Sequence, residues 1–324
     1  MAQRISILPS PQAAISAALP VLEAGEVIAI PTETVYGLAA DATNSQAITR
    51  IYETKGRPRF NPLICHMADL AMAERYAVFD PLSRLLAERF WPGPLTLIVP
   101  LRAGSTIHPL ATAGLDTVGV RVPRGFTAQL IAAFDRPLAA PSANTSGRIS
   151  PTTADHVADD LGDKIPLILD GGAAGVGVES TILKVEDGTI RLLRPGGLSV
   201  EEVEAATGLS VIRPEKAGAI IEAPGMLASH YAPNASVRLN AVEVFEGEAV
   251  ITFGDFRPKG LEKAAAVLHL SATGDLAEAA ANLFSFMKSA DASGAARIAF
   301  TPIPGHGLGE AINDRLERAA APRE

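Results

Sequence analysis

The chain has 324 residues, 48% of them hydrophobic and 20% charged, with a formal net charge of -8. That composition marks a globular protein rather than a disordered one, the length favours two domains over one, and no apolar run approaches a bilayer span. The acidity excludes nucleic-acid binding through the general surface, and a single cysteine, Cys65, excludes an intrachain disulfide or a cysteine-rich metal site.

The opening residues Met1-Ala2-Gln3-Arg4-Ile5-Ser6 lack the charged and apolar regions of an export signal, so a cytoplasmic protein is expected. Apolar periodicity then predicts a helix over 11–23, a strand over 27–30, a helix over 45–54, a strand over 63–67 and helices over 70–77 and 82–90. Cys65 falls in the strand over 63–67 beside Leu63, Ile64 and Met67, which makes it an inert core residue. Strands follow at 95–99 and 117–122, a helix at 128–134, a strand at 138–140, a helix at 154–161, strands at 165–169, 181–185 and 189–193, and a helix at 200–207. Asp80-Pro81 reads as an N-cap with proline in the first turn, and Ser199 with Glu202 has capping-box spacing. Residues 209–234 hold Pro214, Pro224, Gly225 and Pro233 with little periodicity and read as a linker. Beyond it, strands at 250–253, 267–270 and 298–300 alternate with helices at 275–288 and 310–319, the rhythm of a small open α/β sheet. The expected organisation is a domain over 1–208, the linker over 209–234 and a smaller α/β domain over 235–324.

Charge chemistry concentrates after the second helix, where Lys55-Gly56-Arg57-Pro58 is followed by Asn61-Pro62-Leu63. One reading is a helix C-cap: glycine suits the left-handed position and cations suit the helix C-terminus. The other is a phosphate grip, an ammonium and a planar guanidinium on a loop stiffened by two prolines. In Thr117-Val118-Gly119-Val120-Arg121-Val122, alternation puts Arg121 on the face opposite the valines, with Gly119 leaving space beside it. It suits either a ligand carboxylate or a solvated sheet face. Pro141-Ser142-Ala143-Asn144-Thr145-Ser146-Gly147 follows a strand, where open sheets bind ligands, although a simple Asx or Ser turn needs the same residues. Gly175-Val176-Gly177-Val178-Glu179-Ser180-Thr181 reads as an anion-binding nest or an ordinary glycine turn. Arg194-Pro195-Gly196-Gly197 ends a strand with either a further candidate cation for phosphates or an ordinary surface arginine.

Taken in order, Pro31-Thr32-Glu33-Thr34-Val35-Tyr36-Gly37, Lys55-Gly56-Arg57, Asn61-Pro62-Leu63, Pro92-Gly93-Pro94-Leu95-Thr96, Ser142-Ala143-Asn144, Glu179-Ser180-Thr181 and Arg194-Pro195-Gly196 resemble the threonylcarbamoyl-AMP synthase family. The resemblance to its YrdC-type domain covers about residues 10–207, while Pro224-Gly225-Met226 and His230-Tyr231-Ala232-Pro233 resemble the linker of its long, two-domain form. It implies a YrdC-like twisted, open, mixed sheet with helices, plus a smaller Rossmann-like α/β domain in which Gly307-Leu308-Gly309-Glu310-Ala311-Ile312 resembles the family's C-terminal part. It also implies synthesis of L-threonylcarbamoyladenylate from L-threonine, bicarbonate and ATP, with Mg2+ accompanying ATP and downstream threonylcarbamoyl-transferase proteins as partners. Contact with tRNA would be indirect, and no membrane partner is implied. By the same resemblance Lys55 and Arg57 are catalytic and bind ATP with Asn61, Thr117, Ser142, Asn144, Arg194 and Tyr231, the last as part of a lid. Thr34, His66, Arg121 and Ser180 would hold threonine. Leu227 and Ser229 stand where basic residues are expected in many relatives, so no phosphate contact is assigned there.

Two rivals use the same residues. A noncatalytic RNA-binding or ribosome-maturation factor would exploit Arg50, Lys55, Arg57 and Arg59, against the overall acidity. A serine hydrolase centred on Ser180 lacks the closing glycine of a nucleophile elbow.

Overall fold

The computed structural model describes residues 1–58, 60–213, 223 and 230–322. Strand β1 (Gln3–Ser6) leads to α1 (Pro11–Glu23), β2 (Ile28–Ile30), β3 (Gly37–Asp41), α2 (Ser45–Lys55), β4 (Ile64–His66), α3 (Leu70–Tyr76) and α4 (Pro81–Phe90). Then come β5 (Leu95–Pro100), β6 (Thr117–Arg121), α5 (Phe126–Phe134), β7 (Leu138–Ala139), α6 (Ala154–Leu161), β8 (Leu167–Asp170), β9 (Thr181–Glu186), β10 (Thr189–Arg194), α7 (Val200–Thr207) and β11 (Val211–Ile212). The rest comprises β12 (Ser236–Arg238), β13 (Ala249–Thr252), a single 3-10 turn, β14 (Ala266–His269), α8 (Leu276–Ala292), β15 (Arg297–Phe300) and α9 (Leu308–Ala320).

Local chemistry explains the helix ends. Asp80 accepts from the backbone N–H of Leu82 and Ser83, and Ser199 and Glu202 close a reciprocal capping box. Asn44 caps α2, and Gly56 ends it in the left-handed conformation at φ 61, so the capping reading of Lys55-Gly56 is satisfied. The expected helices are all present. Strands β1, β3, β11 and β12 were not expected. In β3 the run Gly37-Leu38-Ala39-Ala40-Asp41 has no β-branched residue, and full burial between β2 and β7 overrides its weak strand propensity.

Eleven strands form one mixed sheet, in the order β1-β8-β2-β3-β7-β4-β6-β5-β9-β10-β11. Pairs β4/β6 and β5/β9 are parallel, whereas β3/β7, β4/β7 and β5/β6 are antiparallel. The four later strands form an all-parallel sheet, β12-β15-β13-β14, as in an open Rossmann-like layer. Its helices bury Phe284, Met287, Ile312 and Leu316 in a core that also takes in Val35 and Val178 from the larger part of the chain and Tyr231 from the stretch that joins the two. Cys65 is fully buried, and burial pushes its thiol up to about 12. Among the described residues no helix is long and apolar enough to cross a membrane.

Where the two parts meet, Gly177 has φ 78, and a Cβ there would lie 2.2 Å from the Ala280 carbonyl oxygen and 2.3 Å from Ala281 Cα. The glycine-rich run before β9 is therefore a seat for α8 at this position, a use that its anion-nest reading did not include.

Candidate active site

Register places the first side chains. In the parallel β4/β6 pair His66 stands opposite Arg121, so both project at the same end of adjacent strands. Arg121 donates from Nη1 to Thr34 Oγ1 at 2.8 Å and from Nε to the Gly93 carbonyl at 3.2 Å. Its Nη2 lies 2.7 Å from Glu33 Oε1, an ion pair by distance in which neither atom makes a well-angled hydrogen bond. Burial first, and Arg121 second, hold the His66 imidazole down at about 3, so it is neutral at physiological pH.

Two strands over, the β9/β10 register shifts between Leu192 and Arg194, an irregularity that re-aims Arg194. Its Nη2 donates to the Ser180 carbonyl at 2.8 Å and approaches Ser180 Oγ at 3.3 Å, while that hydroxyl pairs with Thr96 Oγ1 at 2.8 Å. Gly196 allows this approach, because a Cβ there would lie 2.3 Å from the Glu179 carbonyl oxygen. On the opposite wall Arg57 donates to the carbonyls of Asn61 (3.4 Å) and Pro62 (3.1 Å), and burial lowers its guanidinium to about 10.

These groups converge on a cavity that leaves about 50 Å3 for water centres. Of the expected residues, Thr34, Arg57, His66 and Arg121 line it, as do Ser142, Ser180, Arg194 and Tyr231. Lys55, Asn61 and Asn144 stand one layer behind. The Lys55 ammonium donates to the Ser142 and Asn144 carbonyls, both at 2.5 Å, and burial, followed by Arg57, lowers it well below the usual lysine value. Lys55 thus shapes the Ser142-Ala143-Asn144 loop in this structure. Thr117 is the residue not brought in: it shares the Arg121 face but sits four residues back along β6, roughly 13 Å away at strand rise. Leu227, Ser229, Arg59 and Pro224-Gly225-Met226 lie outside the described residues, as does most of the expected lid.

The walls also contain Thr32, Glu179 and His230, to which no role was assigned from sequence. Glu179 accepts from Ser150 Oγ at 2.5 Å and from Arg315 Nε at 2.8 Å. Burial would raise its carboxyl, but Arg315 and Arg194 reverse this and hold it at about 2. Burial holds His230 at about 3 and raises Tyr231, whose ring stacks on Phe284 at 5.4 Å and meets the His230 ring edge-on at 4.1 Å. Glu179 and His230 sat inside motifs already singled out; Arg315, on α9, carried no local signal.

Among the described residues, the buried side-chain polar atoms without a hydrogen-bond partner are Glu33 Oε1, Asn61 Oδ1, His66 Nδ1, Arg121 Nη2, Asn144 Oδ1, His230 Nδ1 and Arg315 Nη2. All belong to the cavity wall or to residues directly supporting it. Such atoms are costly in a folded core; of these residues His66, Arg121 and His230 line the cavity, where a polar ligand can meet them.

Residues 20–196 match the family model described as Telomere recombination, and residues 198–321 match the one described as Threonylcarbamoyl-AMP synthase, C-terminal domain. The chain is 42% identical over 319 residues to the threonylcarbamoyl-AMP synthase of Pyrococcus abyssi, covering 92% of each chain. It is 40% identical over 330 residues to that of Bacillus subtilis, covering 97% of this chain and 94% of the relative. The crystal structure of P. abyssi Sua5 complexed with L-threonine is similar with a TM-score of 0.87 at 38% identity, covering 99% of this chain and 97% of that one. The chain belongs to the threonylcarbamoyl-AMP synthase family.

Proposed function

We propose that this chain joins L-threonine, bicarbonate and ATP into threonylcarbamoyl-AMP with release of pyrophosphate, using the cavity bounded by Arg57, Arg121 and Arg194. The observation that carries this reading is the burial of four cations around one site. Lys55, Arg57, Arg121 and Arg194 are each at least nine-tenths buried; among the described residues Glu33 pairs with Arg121, Glu179 lies near Lys55 and Arg194, and Arg57 makes no ion pair. Burying such groups carries a high desolvation cost, which an entering polyanion would offset. ATP and a carbamate supply that charge.

Threonine, as its free amine, takes up the carbon of bicarbonate and loses water, giving a carbamate. A carbamate oxygen then attacks the α-phosphorus, and the bond to pyrophosphate breaks with its electron pair. The oxygen is already nucleophilic, so the protein's work is alignment and charge neutralisation. Arg121, with Thr34, Ser180 and neutral His66, holds threonine through its carboxylate and hydroxyl. Arg57 and Arg194 take phosphate oxygens. Lys55, through its two carbonyls, fixes the loop whose Ser142 and Asn144 order the nucleotide or the carbamate. Asn61 Oδ1 serves the same end, and Thr117 would meet only the far end of an extended nucleotide. The cavity is smaller than the roughly 300–1,000 Å3 of typical ligand sites, so admitting ATP requires it to widen.

Magnesium enters this reading with ATP, on its phosphates. Among the described residues no group of three or more His, Cys, Asp or Glu is arranged to hold a metal, and Glu33 and Glu179 each face a guanidinium. Cytoplasmic location and delivery of the adenylate to a downstream threonylcarbamoyl-transferase belong to the same reading. A pyrophosphate-release assay with each substrate omitted in turn tests it. Release should need threonine and bicarbonate together; release with ATP alone, or none with all three, would overturn it.

A further inference from the structure

Arg315 comes from α9, outside the strands that build the cavity, yet none of it is exposed. Its Nε donates to Glu179 Oε2 at 2.8 Å, its Nη1 donates to Asp314 Oδ2 at 2.6 Å, and its guanidinium lies 5.1 Å from the Tyr231 ring centroid. Glu179 and Tyr231 both line the cavity, whereas Arg315 does not.

Glu179 is a hub. Its carboxylate also accepts from Ser150, its carbonyl accepts from Gly197 N at 2.9 Å, and the next residue, Ser180, receives Arg194. Whatever fixes Glu179 therefore fixes the turn carrying Arg194. Tyr231 is pinned from the same side, between Arg315 and Phe284 of α8, with its backbone at φ 61 in the left-handed region. Buried ion pairs seldom out-stabilise a packed apolar pair, so stability gives little reason for a fully buried arginine here. Its planar fork does give a reason, since it reaches Glu179 and Asp314 together while covering a ring face.

We infer that Arg315 is a positioning residue for the reaction: from the smaller sheet's helix layer it sets Glu179, and through it Ser180 and Arg194, and it backs Tyr231. The smaller α/β part thereby supplies a working piece of the site. This rests on the synthase reading above, and the burial of Glu179 in ionised form supports it.

The test is a mutant cycle on the full chain, Arg315→Gln, Glu179→Gln and both together, with Arg315→Lys as the conservative variant. The readout is KM for ATP, because a partly unfolded preparation lowers apparent kcat but leaves KM unchanged. The wild-type protein must first release pyrophosphate in a threonine- and bicarbonate-dependent way; if it does not, the synthase reading fails before any variant is compared. Given that activity, Arg315→Gln and Arg315→Lys should each raise KM for ATP by roughly tenfold, and the double variant should rise no further than the larger single one, as expected for one coupled unit. A wild-type KM in both Arg315 variants would overturn the inference, as would single effects that multiply in the double variant. If Arg315→Gln does not fold, Arg315→Lys decides the matter alone.

Discussion

His66 and Arg121 face each other as register partners across β4 and β6, and burial together with this guanidinium keeps the imidazole neutral. His230, across the cavity, is likewise held at about 3 by burial. Both histidines are lowered in the fold and ordinary in the unfolded chain. The unfolded state therefore binds more protons between about pH 6.5 and 3, and stability is present above that window and lost as pH falls through it. These two groups set a slope of up to about 2.7 kcal/mol per pH unit, to which His156, also lowered by burial, adds, as does the Glu179 carboxyl below about pH 4.5. Denaturant unfolding measured between about pH 6 and 5 should show a slope of that order, and His230→Asn should lower it by about 1.4 kcal/mol per pH unit. A flat profile would mean that both imidazoles titrate normally.

Arg121→Lys retains a charge near Glu33 but loses the fork that spans Thr34, Gly93 and the ligand. KM for threonine should rise by at least about tenfold, with KM for ATP changed much less. Steady-state kinetics with each substrate varied in turn check this; equal effects on both would remove Arg121 from the threonine subsite.

Arg57→Ala should lower kcat by about 10²–10³-fold, because a buried cation aimed at developing phosphate charge acts mainly in the transition state. Lys55→Met should behave differently. It leaves the Ser142 and Asn144 carbonyls without their ammonium, at about 1–3 kcal/mol each, so it should lower thermal stability as well as activity. Calorimetry beside kinetics separates the two; an unchanged melting temperature in Lys55→Met would show that its carbonyl contacts contribute nothing.

Gly177→Ala would drive a methyl group into the backbone of α8 and hold a non-glycine residue at φ 78. A loss of about 3 kcal/mol or more is expected from overpacking plus strain. Equilibrium unfolding measures it. A near-neutral result would mean that α8 moves away freely and that the two parts are loosely joined.

Much of this was legible locally. The caps at Asp80 and Ser199 and the left-handed Gly56 need only a few neighbouring residues, so their helices could be read from spacing. Arg57, Arg121, Ser142, Ser180 and Arg194 could be named because each sits in a short motif at a strand or helix end. Other features depend on distant partners. The hidden strand β3 is set by burial between β2 and β7, and the crowding at Gly177 by a helix about a hundred residues further on. The Glu179–Arg315 pair joins residues 136 apart in sequence, and no local pattern announces it. Thr117 shows the converse: alternation assigned its face correctly, but the strand's length carried it away from the cavity.

Threonylcarbamoyl-AMP synthesis by this chain is followed most directly with isotopically labelled bicarbonate. Supplied with threonine and ATP, the protein should place the label in an adenylate, with one pyrophosphate released for each label incorporated, and Arg57→Ala should slow both by the same factor. Label in the adenylate without threonine, or pyrophosphate released with no label incorporated, would contradict it.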